Sequence, residues 1–396
     1  MPDFKYLIVG GGMTAAAAVS GIRSVDEEGS IGVVSMESDP PYDRPPLSKG
    51  LWKGKPLEKI WRDTQDLGVT LYLERQAHVL DRDQKRVADT QGEVYTFDRL
   101  LLATGGRPRR LPFGEEAILY YRTLEDYRRL RALTEERQRF GVIGGGFIGS
   151  EIAAALATND KQAVMIFPEE GIGARMFPRE LALFLNDYYR ERGVEVLAGC
   201  EVVGVEPRGE GAAIQVRGAD GGEREIEVDA VVAGIGIQPN VELAEAAGLE
   251  VADGIVVDGF LRTSASDIYA AGDVAAFHNP ALDMRLRVEH EDNANSQGRI
   301  AGRNMAGAAE PYNHLPMFYS DLFDLGYEAV GLTDSRLEVV ADWAEPNRKG
   351  VLYYLRDGRV RGVLLWNVWD QVEAARRLIA EPGPFQPGDL KGRLPA

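Results

Sequence analysis

A single cysteine, Cys200, in 396 residues excludes an internal disulfide and any mechanism that needs two redox-active thiols in one chain. It also makes a reducing cytoplasm the simplest address. The four histidines, His78, His278, His290 and His314, show no paired metal spacing, so no metal site is expected. No apolar run approaches the ~18 residues needed to span a bilayer. The opening residues lead straight into a buried-strand pattern, which leaves no room for a signal or transit peptide. Basic side chains are in deficit: 45 Lys and Arg against 62 Asp and Glu give a formal net charge of −17. That excess disfavours nucleic acid, whose phosphates an acidic surface repels. With 44% hydrophobic and 27% charged residues, the chain is of ordinary globular composition and long enough for two to four domains.

Two segments share one pattern. Tyr6 to Val9 is a short apolar run ending in Gly10, Gly11 and Gly12, then Met13, Thr14 and an alanine-rich stretch to Arg23. Phe140 to Ile143 ends in Gly144, Gly145 and Gly146, then Phe147, Ile148 and a stretch to Leu156. Each reads as strand, glycine turn and helix, and each leads to a second strand, Ile31 to Val34 and Ala163 to Phe167. In such a turn one glycine permits the bend, the next lets a pyrophosphate reach the backbone, and the third allows helix and strand to pack closely. One copy alone is as well explained by packing; two copies in strand–turn–helix context predict two dinucleotide sites. Further apolar strands end at Ala103-Thr104-Gly105, at Gly234-Ile235-Gly236 and at Ala271-Gly272-Asp273.

The fold class that follows is α/β, with two Rossmann-like dinucleotide domains, the second inserted in the first, and a C-terminal α+β domain. Residues 1–115 and 250–310 are expected to form the first domain, 116–249 the insert, and 311–396 the third. In the last, strands are expected at Glu328 to Gly331, Gly350 to Leu355 and Val360 to Trp366, and a helix at Gln371 to Ile379. The Pro- and Gly-rich end from Glu381 reads as a loosely packed tail.

An acidic residue about 20 positions past each glycine turn is placed to accept hydrogen bonds from ribose hydroxyls and to repel a 2′-phosphate. Glu37 and Glu169 stand there. Arg175, six positions beyond Glu169, works against that discrimination. Prolines around Pro40 to Lys49 stiffen the loop that presents Arg44 and Lys49. A rigid guanidinium fork suits a pyrophosphate, and a fixed ammonium suits a flavin ring that becomes anionic on reduction.

Together, Gly10–Gly12, Pro41–Lys49, Ala103–Gly105, Gly144–Glu151 and Ala271–Asp273 resemble the two-dinucleotide-domain flavoprotein reductases. Arg287–His290, Met317–Asp321, Gly326–Gly331, Lys349–Asp357 and Leu365–Asn367 narrow the resemblance to the apoptosis-inducing factor family, over nearly the whole chain. The mitochondrial members carry a targeting and anchoring region and a C-terminal insertion for which Asp334 to Lys349 leaves no room. With −17 charges their DNA-binding surface is not expected either. The resemblance therefore implies the oxidoreductase core of a bacterial-type homologue.

Carried over position by position, it implies FAD at Gly10, Gly11, Gly12, Met13 and Thr14, with Met36 and Glu37 at the ribose. Arg44, Lys49, the Ala77 backbone, Arg109, Asp273, His290, Glu291 and Tyr319 would complete the flavin site. NADH would meet Gly145, Gly146, Phe147, Ile148, Glu169 and Arg175, and also Gly236, Glu289, Glu328 and Asn367. Lys49, Glu151, His290 and Tyr319 are the implied catalytic set; Tyr319 stands where the family has a tryptophan. Disulfide reductases of this architecture carry cysteines near Pro45 to Lys49, where this chain has Leu47-Ser48. The expected reaction is hydride transfer from NADH to FAD, followed by electron transfer to a quinone, oxygen or small redox protein without a thiol relay. Two alternatives stay open: the reductase of a ferredoxin- or rubredoxin-dependent oxygenase, and an NADH-sensing protein whose reduced form dimerises.

Overall fold

The computed structural model describes residues 1–395, and the chain forms two compact units. The first comprises Met1–Arg44, Pro56–Arg107 and Gln238–Met317; the second comprises Pro45–Lys55, Pro108–Ile237 and the chain from Phe318 onward. Each unit holds a parallel sheet covered by helices, so the α/β class with Rossmann-like domains is what the chain adopts.

The sheet of the first unit has seven strands. Val69–Tyr72, Ile31–Val34, Asp3–Val9 and Val94–Leu102 lie in that order, all parallel, and Ile268–Ala270 joins the last of them. Leu7 pairs with Gly32 on one side and Leu100 on the other. These strands are apolar on both faces because helices cover both. One such helix, Met13–Arg23, is alanine-rich, which favours helix and keeps its surface flat. It lies against the helix Glu291–Met305. A Cβ on Gly298 would fall 2.3 Å from the Thr14 carbonyl oxygen, and one on Gly302 2.1 Å from that of Ala18. The small residues thus let two backbones touch, which fixes the N-terminal turn of Met13–Arg23 beside Gly272.

In the second unit the parallel order is Glu195–Ala198, Gln162–Phe167, Arg139–Ile143, Ala230–Ala233 and Ile118–Tyr120. A three-stranded antiparallel sheet, Glu201–Arg208, Gly211–Arg217 and Glu223–Val228, covers one face around Ile214 and Val216. The C-terminal portion is a five-stranded antiparallel sheet in the order Met317–Leu322, Leu325–Gly331, Arg359–Trp366, Lys349–Arg356 and Glu338–Glu345. Helix Val372–Ala380 buries Ala375, Leu378 and Ile379 against it.

The tail departs from the sequence expectation. Pro387–Leu390 is a helical turn, Leu390 and Leu394 are buried, and the Leu394 N–H donates to the Tyr353 hydroxyl at 3.1 Å. Two leucines suffice to anchor a segment whose Pro and Gly content suggested looseness. Among the described residues no helix is long and apolar enough to cross a membrane, and no cluster of His, Cys, Asp and Glu could hold a metal ion.

Candidate active site

The two glycine turns repeat one geometry. Gly10 and Gly144 both have φ +115°, a backbone conformation that L side chains rarely adopt. A Cβ would lie 2.1 Å from the Ala103 carbonyl oxygen in the first case and 2.4 Å from that of Gly234 in the second. Gly12 and Gly146 differ from these. Each caps the helix that follows without a side-chain cap, and a Cβ at Gly146 would meet nothing within 4 Å. At Gly12 only the Arg44 guanidinium comes near, at 3.8 Å. Uncapped N–H groups facing open space at a helix N-terminus form an anion cradle, and each glycine turn presents one.

Around the first cradle, Glu37 and Arg44 meet. The Arg44 Nη2 donates to Glu37 Oε1, while the Tyr42 hydroxyl donates to Glu37 Oε2 at 2.5 Å. The guanidinium also lies 5.2 Å from the Tyr42 ring centroid. Burial opposes the Arg44 charge, but the Glu37 carboxylate, Tyr42 and Asp273 outweigh it and hold the guanidinium above its usual range. A fully buried glutamine, Gln297, accepts from the Gly272 N–H at 2.8 Å through Oε1, and its Nε2 has no partner. Gly272 in turn sits so close to Thr14 that a Cβ would be 2.2 Å from Thr14 Oγ1. A buried donor without an acceptor, beside an open helix N-terminus and a fixed guanidinium, fits a bound dinucleotide. Sequence reasoning missed Tyr42 and Gln297; neither lies in a glycine motif.

In the second unit the loop before Lys55 is pinned by its backbone. The Leu47 carbonyl accepts from the Tyr121 hydroxyl at 2.5 Å and from the Trp52 indole at 2.8 Å. This holds Lys49 at 2.7 Å from Glu151 Oε1. Glu151, in the second turn of helix Phe147–Thr158, is only 4% exposed, and the Lys49 side chain only 13%. Two hydroxyls complete the carboxylate: Ser48 Oγ donates to Oε2 and Ser320 Oγ to Oε1, both at 2.5 Å. Behind Ser320 lies the Tyr327 hydroxyl, pushed well above its usual range by burial and by Glu151. Lys49 Nζ sits 5.3 Å from the ring centroid of Tyr319. Three of the implied catalytic residues thus meet inside this unit. Ser48 had been noted only as standing where related reductases carry cysteine, and its bond to Glu151, like that of Ser320, was not anticipated.

Elsewhere in the same unit, Arg175 grips one carboxylate oxygen of Glu169 with Nη2 at 2.7 Å and Nε at 2.8 Å. The loop carrying Arg175 is tied to the second glycine turn through the Gly173 N–H and the Gly145 carbonyl, 2.8 Å apart. Asn367, at φ +50°, bridges the Gly326 N–H and the Arg348 carbonyl. Two strand positions away, Glu328 has a buried Oε2 with no partner. Burial, then the Asp370 charge, raises its carboxyl above the usual range. Arg109 donates its N–H to the Gly236 carbonyl at 2.9 Å.

The remaining positions are more scattered. Met36 is 65% exposed and Ala77 lies in a strand paired with Asp89. Glu289 accepts from Arg287 at 2.6 Å, and the same guanidinium reaches the Asp273 carbonyl at 3.1 Å. His290 is the N-cap residue of helix Glu291–Met305, and Glu291 lies 3.7 Å from Arg62. Phe147 packs edge-on to Phe318, with Ile148 beside it in the helical turn after Gly146.

Two dinucleotide cradles on two Rossmann-like units, with a lysine–glutamate pair and no cysteine beside it, define a flavin- and nicotinamide-dependent reductase. The chain belongs to the pyridine nucleotide-disulphide oxidoreductase family, whose model matches residues 4–298. Residues 301–349 and 344–381 match the C-terminal domain of mitochondrion-associated apoptosis-inducing factor. Apoptosis-inducing factor 1 of Dictyostelium discoideum is 35% identical, over 95% of this chain and 78% of its own. The ferredoxin reductase subunit of 5,5'-dehydrodivanillate O-demethylase from Sphingobium sp. is 36% identical, over 91% of this chain and 89% of its own. Among solved structures, the covalent putidaredoxin reductase–putidaredoxin complex superposes with a TM-score of 0.89 at 30% identity, over 98% of this chain and 95% of that one. The protein is accordingly an FAD-dependent NAD(P)H oxidoreductase, and its cofactors are FAD and NAD(H).

Proposed function

We propose that the protein takes hydride from NADH onto FAD and passes the electrons to a separate acceptor without using a cysteine. The observation that carries this reading is the buried Lys49–Glu151 pair, with Ser48 occupying the segment where a thiol relay would stand and donating to Glu151 instead. Bound FAD supplies the two-electron acceptor; the chain supplies its placement. Gly10 to Thr14, Glu37, Arg44 and Asp273 hold the flavin nucleotide, through helix N–H groups for the pyrophosphate and a carboxylate for the ribose. Gly145 to Ile148 and Glu169 do the same for NADH. Lys49, kept against Glu151, presents a positive charge to a ring that gains negative charge. Glu328, Asn367, Glu289 and His290 orient the nicotinamide side. NADH is preferred over NADPH because the Glu169 carboxylate occupies the ribose position. In domain terms, 1–115 with 250–310 serves FAD and 116–249 serves NADH.

A second reading, the reductase component of a ferredoxin-dependent system, is supported by the 36% identity to the Sphingobium ferredoxin reductase subunit over 91% of this chain. To test the first, Cys200→Ser is compared with the unmodified protein in steady-state NADH oxidation with a quinone. Equal kcat supports the relay-free route; loss of turnover with intact FAD loading overturns it.

A further inference from the structure

Glu169 and Arg175 lie in the connection between strand Gln162–Phe167 and helix Arg179–Arg190, within the second unit. The Arg175 side chain is 87% exposed and that of Glu169 26%. An ion pair so open to water fixes little by itself, so the placement of both groups rests on the backbone beneath them. The first half of the connection is pinned from the helix. Asn186, buried, accepts from the Ile172 N–H at 3.1 Å and donates through Nδ2 to the Glu170 carbonyl at 2.8 Å.

The second half is pinned by the C-terminal sheet instead, through three consecutive residues. The Arg175 carbonyl accepts from the Ser335 N–H at 3.0 Å, and the Met176 carbonyl from the Tyr354 hydroxyl at 2.9 Å. Phe177 stands edge-on to Tyr327 and Trp366, with both ring centroids 5.3 Å away. Tyr354 is fully buried, and burial pushes its hydroxyl above the usual range, so it stays a donor. Ser335 is presented by a turn that bonds to itself. The Asp334 carboxylate accepts from the Arg336 N–H at 3.0 Å and from the Arg336 guanidinium at 2.6 and 2.9 Å. The Leu337 N–H returns to the Asp334 carbonyl at 2.9 Å. Arg336, chiefly through its side chain, holds the Asp334 carboxyl below the usual range.

We propose that Tyr354 and the turn at residues 334–337 are positioning residues for the adenosine end of NADH. This rests on the NADH reading above and adds the C-terminal sheet to that end of the site. By holding the carbonyls of Arg175 and Met176, the sheet keeps the guanidinium on Glu169. The carboxylate is then fixed for the ribose, and the guanidinium is withheld from a 2′-phosphate. The tie extends to the phosphate cradle, because the Gly173 N–H of the same connection donates to the Gly145 carbonyl at 2.8 Å. A connection ordered before the nucleotide arrives costs less to bind. Hydride leaves from the nicotinamide end, so the chemical step does not depend on the tie.

The test compares the FAD-loaded unmodified protein with Tyr354→Phe, which removes only the hydroxyl, and Asp334→Ala, which unties the turn. Tyr353→Phe is the control: its hydroxyl, on the same strand, accepts from the Leu394 N–H at 3.1 Å and does not serve the connection. Calorimetry gives Kd for ADP-ribose, the adenosine half alone, and for its 2′-phosphate. Stopped flow gives the rate of flavin reduction at saturating NADH. The Kd for ADP-ribose should rise roughly threefold to tenfold in both variants, the range of one neutral hydrogen bond. The preference for ADP-ribose over its 2′-phosphate should narrow, the limiting reduction rate should hold, and Tyr353→Phe should move none of these. An ADP-ribose Kd unchanged in both variants, or shifted equally in Tyr353→Phe, overturns the proposal. Failure of NADH to reduce the flavin sinks the functional reading instead, and the ADP-ribose Kd values still decide the positioning.

Discussion

Removing the Glu151 carboxylate should be costly in two separable ways. Glu151→Ala strips Lys49 of its counter-charge and leaves the Ser48 and Ser320 hydroxyls without their acceptor. At a solvated cleft such a pair would contribute little. The side chains are instead 13% and 3% exposed, so the figure for breaking a buried pair on one side applies, roughly 3–5 kcal/mol. Glu151→Gln keeps an acceptor oxygen and should cost about half as much, because hydrogen bonds survive while the ion pair does not. Hydride transfer should slow at least about tenfold in both variants, roughly 1.4 kcal/mol of barrier. Lys49→Ala should slow the same step and also loosen FAD. Urea unfolding of the FAD-loaded proteins gives the stability order, and stopped-flow reduction by NADH, corrected for FAD occupancy, gives the rate. If Glu151→Ala unfolds within about 0.5 kcal/mol of the unmodified protein, a size ordinary for an exposed site, and reduces at its normal rate, the buried-pair argument is wrong.

Three further outcomes follow from the same geometry. Glu169→Ala should narrow the NADH preference by raising kcat/KM with NADPH, since Arg175, now holding Glu169 at 2.7 Å, becomes available to a 2′-phosphate; an unchanged ratio places the discrimination elsewhere. Gly12→Ala should fold yet retain FAD poorly, whereas Gly10→Ala should fail to fold, because its Cβ would stand 2.1 Å from a carbonyl oxygen at φ +115°; flavin content and circular dichroism separate the two. Glu328, its carboxyl raised by burial and by Asp370, favours the folded state when protonated, so that contribution is complete below its unfolded value near 4.5 and lost as pH rises through the folded one. Glu328→Gln should therefore raise Tm at pH 8 by about 1–3 °C and leave it unchanged at pH 4, and equal effects at both pH values would contradict the assignment.

The sheets and glycine turns were legible in the sequence because their signals are local. An apolar run, a Gly-Gly-Gly and an alanine-rich helix together fix the geometry of one 29-residue stretch, Tyr6 to Val34. Lys49 and Glu151 were singled out only through resemblance, and their contact emerges with the fold, since 102 positions separate the two and no periodicity joins them. Ser320 and the donors on the Leu47 carbonyl, Tyr121 and Trp52, left no sequence mark at all, and Ser48 stood out only for the cysteine it replaces. A serine that completes a buried carboxylate looks like any serine until the fold brings the partners together. The same is true of Gln297, whose spare amide acquires meaning only beside Gly272 and Thr14. In the tail, composition suggested looseness, and burial of Leu390 and Leu394 prevailed.

The central claim is tested most directly by anaerobic titration of the FAD-loaded protein with NADH, followed by absorbance. The account predicts that a stoichiometric amount of NADH bleaches the yellow flavin, and that the colour returns on adding an acceptor, equally in Cys200→Ser. A flavin that stays oxidised under excess NADH, while a chemical reductant bleaches it, would contradict it.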